Sequence, residues 1–560
     1  LKVLKKLSWM ILVFSLTGCV GIPSESAIFE ADEIENQNSG SVVRVIARGP
    51  EPGMNQIEIV QGFLDASASS ENDFAIARSF LSPVAANNWL PSQSIQVYEG
   101  VGRLSSSEID LINFTAPKEG EINSRFRYKL AASSDSLTQD FRLVQIEGEW
   151  RIRNAPRGLL ISKADLNRSY RFYPLWFPDL SGQVLVPDPV VVPQAVSGTA
   201  TLLVQLLLSG PSRELAAGVK TSFPQGVDLS LAAVTVENSV ASVSLNSDAL
   251  NTSSEQRLLM SGQITKTLTS IPGINAVRIT VGSQALPIEG KPVQQTASDW
   301  QELAADNNRT QSATVAFNGR LFQIENSTVS TPFPAFLARQ PVSYRAGVID
   351  RAGAIYAALS SDASKVYVGN LASTQEPQLV LSGSSLNDPR IDRSGLIWVT
   401  SPEGVQVING SEVRSVILQG LEADAEVFEV IPAPDGVRAA VIVNTISGRQ
   451  LRLATIERDA TSIRLIQFRA IENVWNNVTQ VSWQTNNVLV LIDTTAELST
   501  VASVDTLTGS TRIIDFVDDA ISISASPVLS LLIGTADGSL LESIENEWQY
   551  LGNFQNPHYS

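Results

Sequence analysis

The stretch IDRSGLIWVTSPEGVQVI, residues 391–408, reads as turn, strand, turn, strand. Asp392-Arg393-Ser394-Gly395 is turn chemistry, Leu396 to Thr400 a short apolar strand, and Ser401-Pro402-Glu403-Gly404 the next turn. The pattern recurs on both sides. Asp350-Arg351-Ala352-Gly353 precedes Ala354 to Leu359, Ala433-Pro434-Asp435-Gly436 precedes Val437 to Val443, Ser482-Trp483-Gln484 precedes Val488 to Ile492, and Ser524-Ala525-Ser526-Pro527 precedes Leu529 to Ile533. The starting points 350, 392, 435, 483 and 526 are 42, 43, 48 and 43 residues apart. That period suits a four-stranded unit whose apolar faces stay open until it stacks on its neighbours. Residues 310–560 are therefore expected to form a β-propeller with five visible blades. TVAFNGRLFQIE, at 314–325, either closes the ring or begins a sixth blade. The acidic turn residues read as punctuation. A glycoside hydrolase using two propeller carboxylates is the catalytic alternative, but spacing nominates no pair.

Upstream of the repeats the periodicity changes. Residues 56–163 open with Ile57, Val60, Phe63 and Leu64 at helical spacing. A second helix carries Phe74, Ala77, Phe80 and Leu81 and ends before Pro83. Strands are expected over Ile95 to Tyr98, Ile109 to Phe114, Phe126 to Leu130 and Phe141 to Val144, with a tight turn at Glu147-Gly148-Glu149 leading into Trp150-Arg151-Ile152. Helices followed by a curved antiparallel sheet predict a cone-like α+β domain of the nuclear-transport-factor type. Residues 164–293 read as an α/β domain. Strands are expected at Arg171 to Phe177 and Gln183 to Pro187, and a buried helix over 199–208. A hairpin turns at Glu237-Asn238-Ser239, a long helix runs from about Glu255 to Thr269 with Leu258, Leu259, Ile264 and Leu268 apolar, and a last strand covers Ala276 to Val281. The chain is thus multidomain, α+β plus all-β. At 560 residues it exceeds what one core supports.

Composition narrows the chemistry. Hydrophobic residues make up 43% and charged residues 17%, which suits folded domains rather than disorder. A net charge of −17 argues against nucleic acid as a partner and against adhesion to anionic lipid through surface charge. There is one histidine, His558, and one cysteine, Cys19. A zinc site of the usual kind lacks ligands, and no disulfide can form within the chain. A Ser-His-Asp triad would have to use His558, the third-last residue, where chains commonly fray. No metal, cofactor or catalytic residue is nominated, and the chain reads as a binder rather than an enzyme. Trp89, Trp176 and Trp475 are candidate interface anchors, though core placement is commoner for such residues.

Lys2, Lys5 and Lys6 precede an apolar run, Leu7 to Leu16, too short to span a bilayer and suited to a signal peptide. Leu16-Thr17-Gly18-Cys19 follows and resembles the lipobox of bacterial lipoproteins. The resemblance implies cleavage between Gly18 and Cys19 and diacylglycerol on the Cys19 sulfur, so that residues 1–18 are signal peptide. Two or three acyl chains give stable anchoring. Residues 19–55 hold Gly49-Pro50-Glu51-Pro52-Gly53 and no lasting period, and read as anchor and tether.

LLLSGP at 206–211, TSFPQGV at 221–227, Val243-Ser244-Leu245 and IPGINAVRITV at 271–281 resemble the GerMN domain of spore-germination and envelope proteins. The wider set adds GCVGIPSES at 18–26, DFRLVQIEGEWRI at 140–152, APRGLLIS at 155–162 and YRFYPLWFPD at 170–179. In that order the chain is similar to the LpqB family of actinobacterial lipoproteins. LVPDPVVVP, at 185–193, lacks the arginine often found after the PD pair, which puts an anion contact there in doubt. The resemblance implies a partner, the extracellular domain of a sensor histidine kinase like MtrB of the MtrAB two-component system. It also implies a place at the cell membrane, lipid-anchored on the extracytoplasmic face, and a role in cell-wall and division signalling. A cell-wall fragment is a further possible ligand.

Overall fold

The computed structural model describes residues 48–69, 72–132, 135–194, 198–306, 312–325, 327–330, 342–373, 375–471, 475–495, 498–545 and 547–559. Gly18, Cys19, the signal segment and the tether up to residue 47 lie outside the described residues. Among the described residues, no helix is long and apolar enough to cross a membrane.

The last part of the expected tether is docked rather than free. The Gly53 amide donates to the Glu149 carboxylate at 3.0 Å, and Met54 packs on the first core. Asn55 caps the helix Gln56–Ala66 in a capping box, its Oδ1 accepting from the Glu58 amide at 3.0 Å while the Glu58 carboxylate accepts from the Asn55 amide at 2.7 Å. That helix buries Ile59, Val60, Phe63 and Leu64. Pro83 ends one helix and starts another. After Ala75–Ser79, Ser82 caps Pro83–Asn88, where proline at the first position has no amide to waste.

The long strand Leu111–Asn123 bends across the first domain. Its early residues pair with Arg103–Glu108 and Ser136–Ile146, its late ones with Ser94–Tyr98 and Tyr128–Leu130. Ile109, expected inside a strand, is instead the exposed tip of a turn. The strand before it, RLSSSE at 103–108, was not anticipated because only Leu104 in it is apolar and it lies almost wholly exposed.

In the second domain the hairpin Tyr170–Pro178 with Leu185–Pro193 packs beside a sheet containing Thr235–Glu237, Val240–Leu245 and Ala276–Val281. The expected turn is at Asn238 and Ser239, both with positive φ. The helix Ser254–Leu268 is buried almost all round, well beyond the apolar stripe expected of it. Its polar residues are satisfied: Gln263 donates to the Trp176 carbonyl and accepts from the Ser222 amide, and Ser261 and Thr265 both donate to Gln295. Residues 294–306, unassigned from sequence, close this core with Trp300, which is fully buried against Leu185, Leu259 and Leu303. Gly262 makes room for it, since a Cβ there would lie 2.9 Å from the indole.

Among the described residues, the C-terminal repeats form six blades. Blades 2 to 6 begin with Tyr344–Ile349, Arg390–Ile391, Glu426–Pro432, Val478–Trp483 and Ala520–Ser524, and each runs outward through three further strands. Blade 1 is composite. Gln555–Tyr559, near the end of the chain, pairs with Ser312–Phe317, which pairs with Arg320–Glu325 and then Thr328–Val329. Each blade's inner strand touches the next, and Gln555–Tyr559 meets both Tyr344–Ile349 and Ala520–Ser524, so the ring closes. Blade 6's second strand starts at Leu532 rather than Leu529. Blade 4 carries an added outer strand, Ile417–Gln419, parallel to Ile463–Ala470.

Candidate functional site

The aspartates of the repeat turns serve the fold. Asp350 Oδ1 accepts from the amides of Ala354 and Ile355, and Asp435 Oδ1 from those of Val437 and Arg438. Asp392 does this for Ser394 and Leu396 and also accepts from Trp398 Nε1 at 2.9 Å and Arg458 Nη2 at 2.7 Å, joining blade 3 to blade 4. Carboxylates bound this fully to local amides are turn parts, as their sequence context implied.

His558 is not frayed. Pairing of its strand with Ser312–Phe317 places it, 3% exposed, among side chains from several blades. Arg390 Nη1 lies 2.7 Å from its Nδ1, and Asp388 Oδ2 is 3.4 Å from its Nε2. Because arginine only donates, Nδ1 must accept, and the proton sits on Nε2. Burial, then the facing Arg390, pushes the His558 pKa below 6.5. Arg390 also pairs with the buried Glu429 at 2.8 Å, and Arg345 lies 3.5 Å from Asp388. Burial raises the Glu429 carboxyl; His558 and the arginines hold Asp388 down against its own burial. Asp388 and Glu429 are two propeller carboxylates near one another in this cluster, and each is tied to an arginine. Among the described residues, no group of three His, Cys, Asp or Glu is placed to hold a metal ion.

A concavity among the described residues lies elsewhere, where the three domains meet. It is a cleft of about 570 Å³, a size suited to a small ligand. The first domain contributes Glu121, Arg127, Tyr128 and Lys129, the second Phe172, Asp188, Ser212 and Glu214, and blade 4 most of the remainder. The domains are fused around it. Val191 of the second domain's hairpin sits in the first domain's core, and Val437 of blade 4 in the second's. Gly218 permits that second approach, since a Cβ there would lie 2.4 Å from Val437. Thr455 of blade 4 donates to the Glu214 carbonyl, Arg351 of blade 2 to the Ala305 carbonyl, and the Asn486 amide of blade 5 to Asp306.

Asp188, in the segment whose missing arginine left an anion contact in doubt, finds its cation in the first domain. Arg127 lies 2.7 Å from its Oδ1, and the Ser212 amide donates to Oδ2 at 2.7 Å. Arg438 is likewise committed to Asp435 at 2.7 Å, and Arg452 donates to the Gln450 side-chain Oε1 at 2.7 Å, with Glu422 at 3.9 Å. Arg469 differs. Among the described residues its guanidinium has no hydrogen-bond or ion-pair partner. Burial, followed by the neighbouring Arg438, lowers its pKa to about 10, while Asp188 and Glu214 pull the other way. It remains a cation at neutral pH.

A bulge puts it there. Gln467 and Phe468 together oppose Ala454, Gln467 has φ +57°, and Gln467, Phe468 and Arg469 follow one another along the cleft wall. The sequence carries a faint sign, since RLIQFRA at 464–470 breaks alternation at Leu465-Ile466. Nothing local marks Arg127 or Glu214. Trp89, Trp176 and Trp475 all pack on cores, Trp89 donating to the Gly158 carbonyl at 3.0 Å and Trp176 lying under Lys266.

Comparison with known proteins covers most of the chain. Residues 49–167 match "Lipoprotein LpqB, N-terminal domain", 174–287 match "Sporulation and spore germination", and 319–559 match "Lipoprotein LpqB beta-propeller domain". Three relatives bear the name Lipoprotein LpqB. The protein of Cutibacterium acnes is 27% identical over 85% of this chain and 84% of its own length, that of Thermobifida fusca 25% over 94% of each, and that of Streptomyces coelicolor 27% over 86% and 84%. Among solved structures, the tandem GerMN domains of the sporulation protein GerM from Bacillus subtilis align with 23% of this chain and 46% of that one, at 18% identity and a TM-score of 0.20, a likeness that carries no argument.

Proposed function

Since the chain belongs to the LpqB lipoprotein family, we propose that it is a non-catalytic accessory protein, anchored by lipid on Cys19 to the outer face of the cell membrane, that binds the extracellular domain of an MtrB-like sensor histidine kinase. By this reading it tunes kinase signalling to cell-wall metabolism and division. The observation that carries it is the fusion of three modules by shared cores at Val191 and Val437. A body joined that way can pass contact at one domain to the others without chemistry of its own.

The test is co-purification from detergent-solubilised membranes with crosslinks mapped to domains, alongside regulator phosphorylation in a deletion strain. Recovery of the kinase and altered phosphorylation are expected. No kinase recovered and unchanged phosphorylation would sink the reading. The anchor is tested separately, by mass spectrometry of the Cys19 peptide and by release of the Cys19→Ser chain from membranes.

A second reading keeps the hydrolase. Its supporting observation is that burial raises the Glu429 carboxyl while, against burial, His558 and the arginines hold Asp388 down, a separation of the kind an acid and a base require. Neither lines the three-domain cleft. Wall glycan cleaved by the wild type and spared by both Asp388→Asn and Glu429→Gln would favour it over the accessory role.

A further inference from the structure

We propose that the three-domain cleft binds a small ligand through an α-amino-acid headgroup, its carboxylate on Arg469 and its ammonium facing Glu214. The argument starts from what each charge already does. Of the cleft's arginines, Arg127, Arg438 and Arg452 are taken by Asp188, Asp435, and Gln450 with Glu422. Arg469 has no partner among the described residues, although it sits on a crowded wall beside Arg438. A guanidinium left this way retains its whole fork of donors, the geometry that meets a carboxylate in two parallel bonds.

The acid nearby selects the class. Glu214 lines the same cleft as Arg469, and its charge acts on Arg469 after that of Asp188, which Arg127 already neutralises; no ion pair joins Glu214 to Arg469, and its exposed carboxylate is bonded to no described residue. A simple anion would be drawn by Arg469 and repelled by Glu214. A zwitterion with its charges one carbon apart satisfies both. The backbone around both groups is held: the Glu214 carbonyl accepts from Thr455, and Arg469 follows the bulge at Gln467. The cleft far exceeds a free amino acid in volume, leaving space for a longer chain behind the headgroup. This inference does not depend on the kinase reading, because it concerns direct binding to the chain alone.

Isothermal titration of the full-length chain in detergent tests it. The probes are glutamate, lysine and meso-diaminopimelate, each beside its N-acetyl and carboxamide derivatives; diaminopimelate, a wall-peptide building block with two such headgroups, separates wall material from common amino acids as the source. At least one free probe is expected to bind, with acetylation or amidation weakening it tenfold or more. Arg469→Gln should abolish the preference for carboxylate over carboxamide, Arg469→Lys should restore part of it, and Glu214→Gln should abolish the preference for the free amine. Unchanged thermal unfolding of the variants shows that they are folded. No binding by any free probe overturns the proposal, as does equal binding of the blocked derivatives or an Arg469→Gln variant that still discriminates.

Discussion

His558 is the chain's only histidine, which makes its titration separable. The folded ring holds it neutral, with its pKa below 6.5. As pH falls below 6.5 the unfolded chain takes up the proton first, so the stability contributed there is complete above that value and is lost on acidification through the window beneath it. Glu429 has the opposite sign: its raised carboxyl favours the folded state at low pH, and that contribution is lost as pH climbs from 4.5 through its folded value. We expect thermal unfolding of the propeller to move down between about pH 6.5 and 5.5, and His558→Gln to flatten that slope. An unchanged slope in the variant would assign it to groups other than His558, and not to Glu429, whose contribution runs the other way. The Arg127–Asp188 pair is a second case. Arg127→Ala leaves a buried carboxylate with one amide for company and should cost about 3–5 kcal/mol in denaturant unfolding, whereas Arg127→Met with Asp188→Leu should cost much less. Neither arrangement was legible in the sequence, because each partner is supplied by a strand or domain remote in the chain.

At the scale of elements, what could be read was what repeats or alternates. The blade period survived because blades 2, 3 and 4 share a tight turn between their first and second strands, and Asp350, Asp392 and Asp435 fill it in the same way. The polar strand at 103–108 gave no apolar rhythm to read. Trp300 was missed although Thr296 and Asp299 form a capping box just before it. The closing strand was missed as well, since QNPHY has no strand-like alternation and is a strand only because Ser312–Phe317 offers it an edge. Removal of residues 555–560 should therefore open the ring. The expected signs are a lower, broader propeller transition and new aggregation through the bared edge of Ser312–Phe317 in light scattering. A truncated chain that still unfolds sharply at the wild-type temperature would show the ring indifferent to that strand.

Over the whole molecule, the fusion of the domains was not legible in the sequence, because a shared core leaves no local mark. Val437 reads as the first residue of an ordinary blade strand and proves to belong to the neighbouring domain's interior. We expect the second domain and the propeller to unfold together. Val437→Asp should separate calorimetry into two transitions and raise protease cutting near residues 294–311, with little change in the first domain, whose core it does not enter.

The seam between Gln555–Tyr559 and Ser312–Phe317 also imposes a schedule. Blade 1 is begun by residues near 312 and waits for residues near 559, so every other blade is made while the ring stands open. A chain made from its front end therefore keeps a provisional ring until this strand emerges, and one that stops short of it would present an unfinished wheel with a sticky rim.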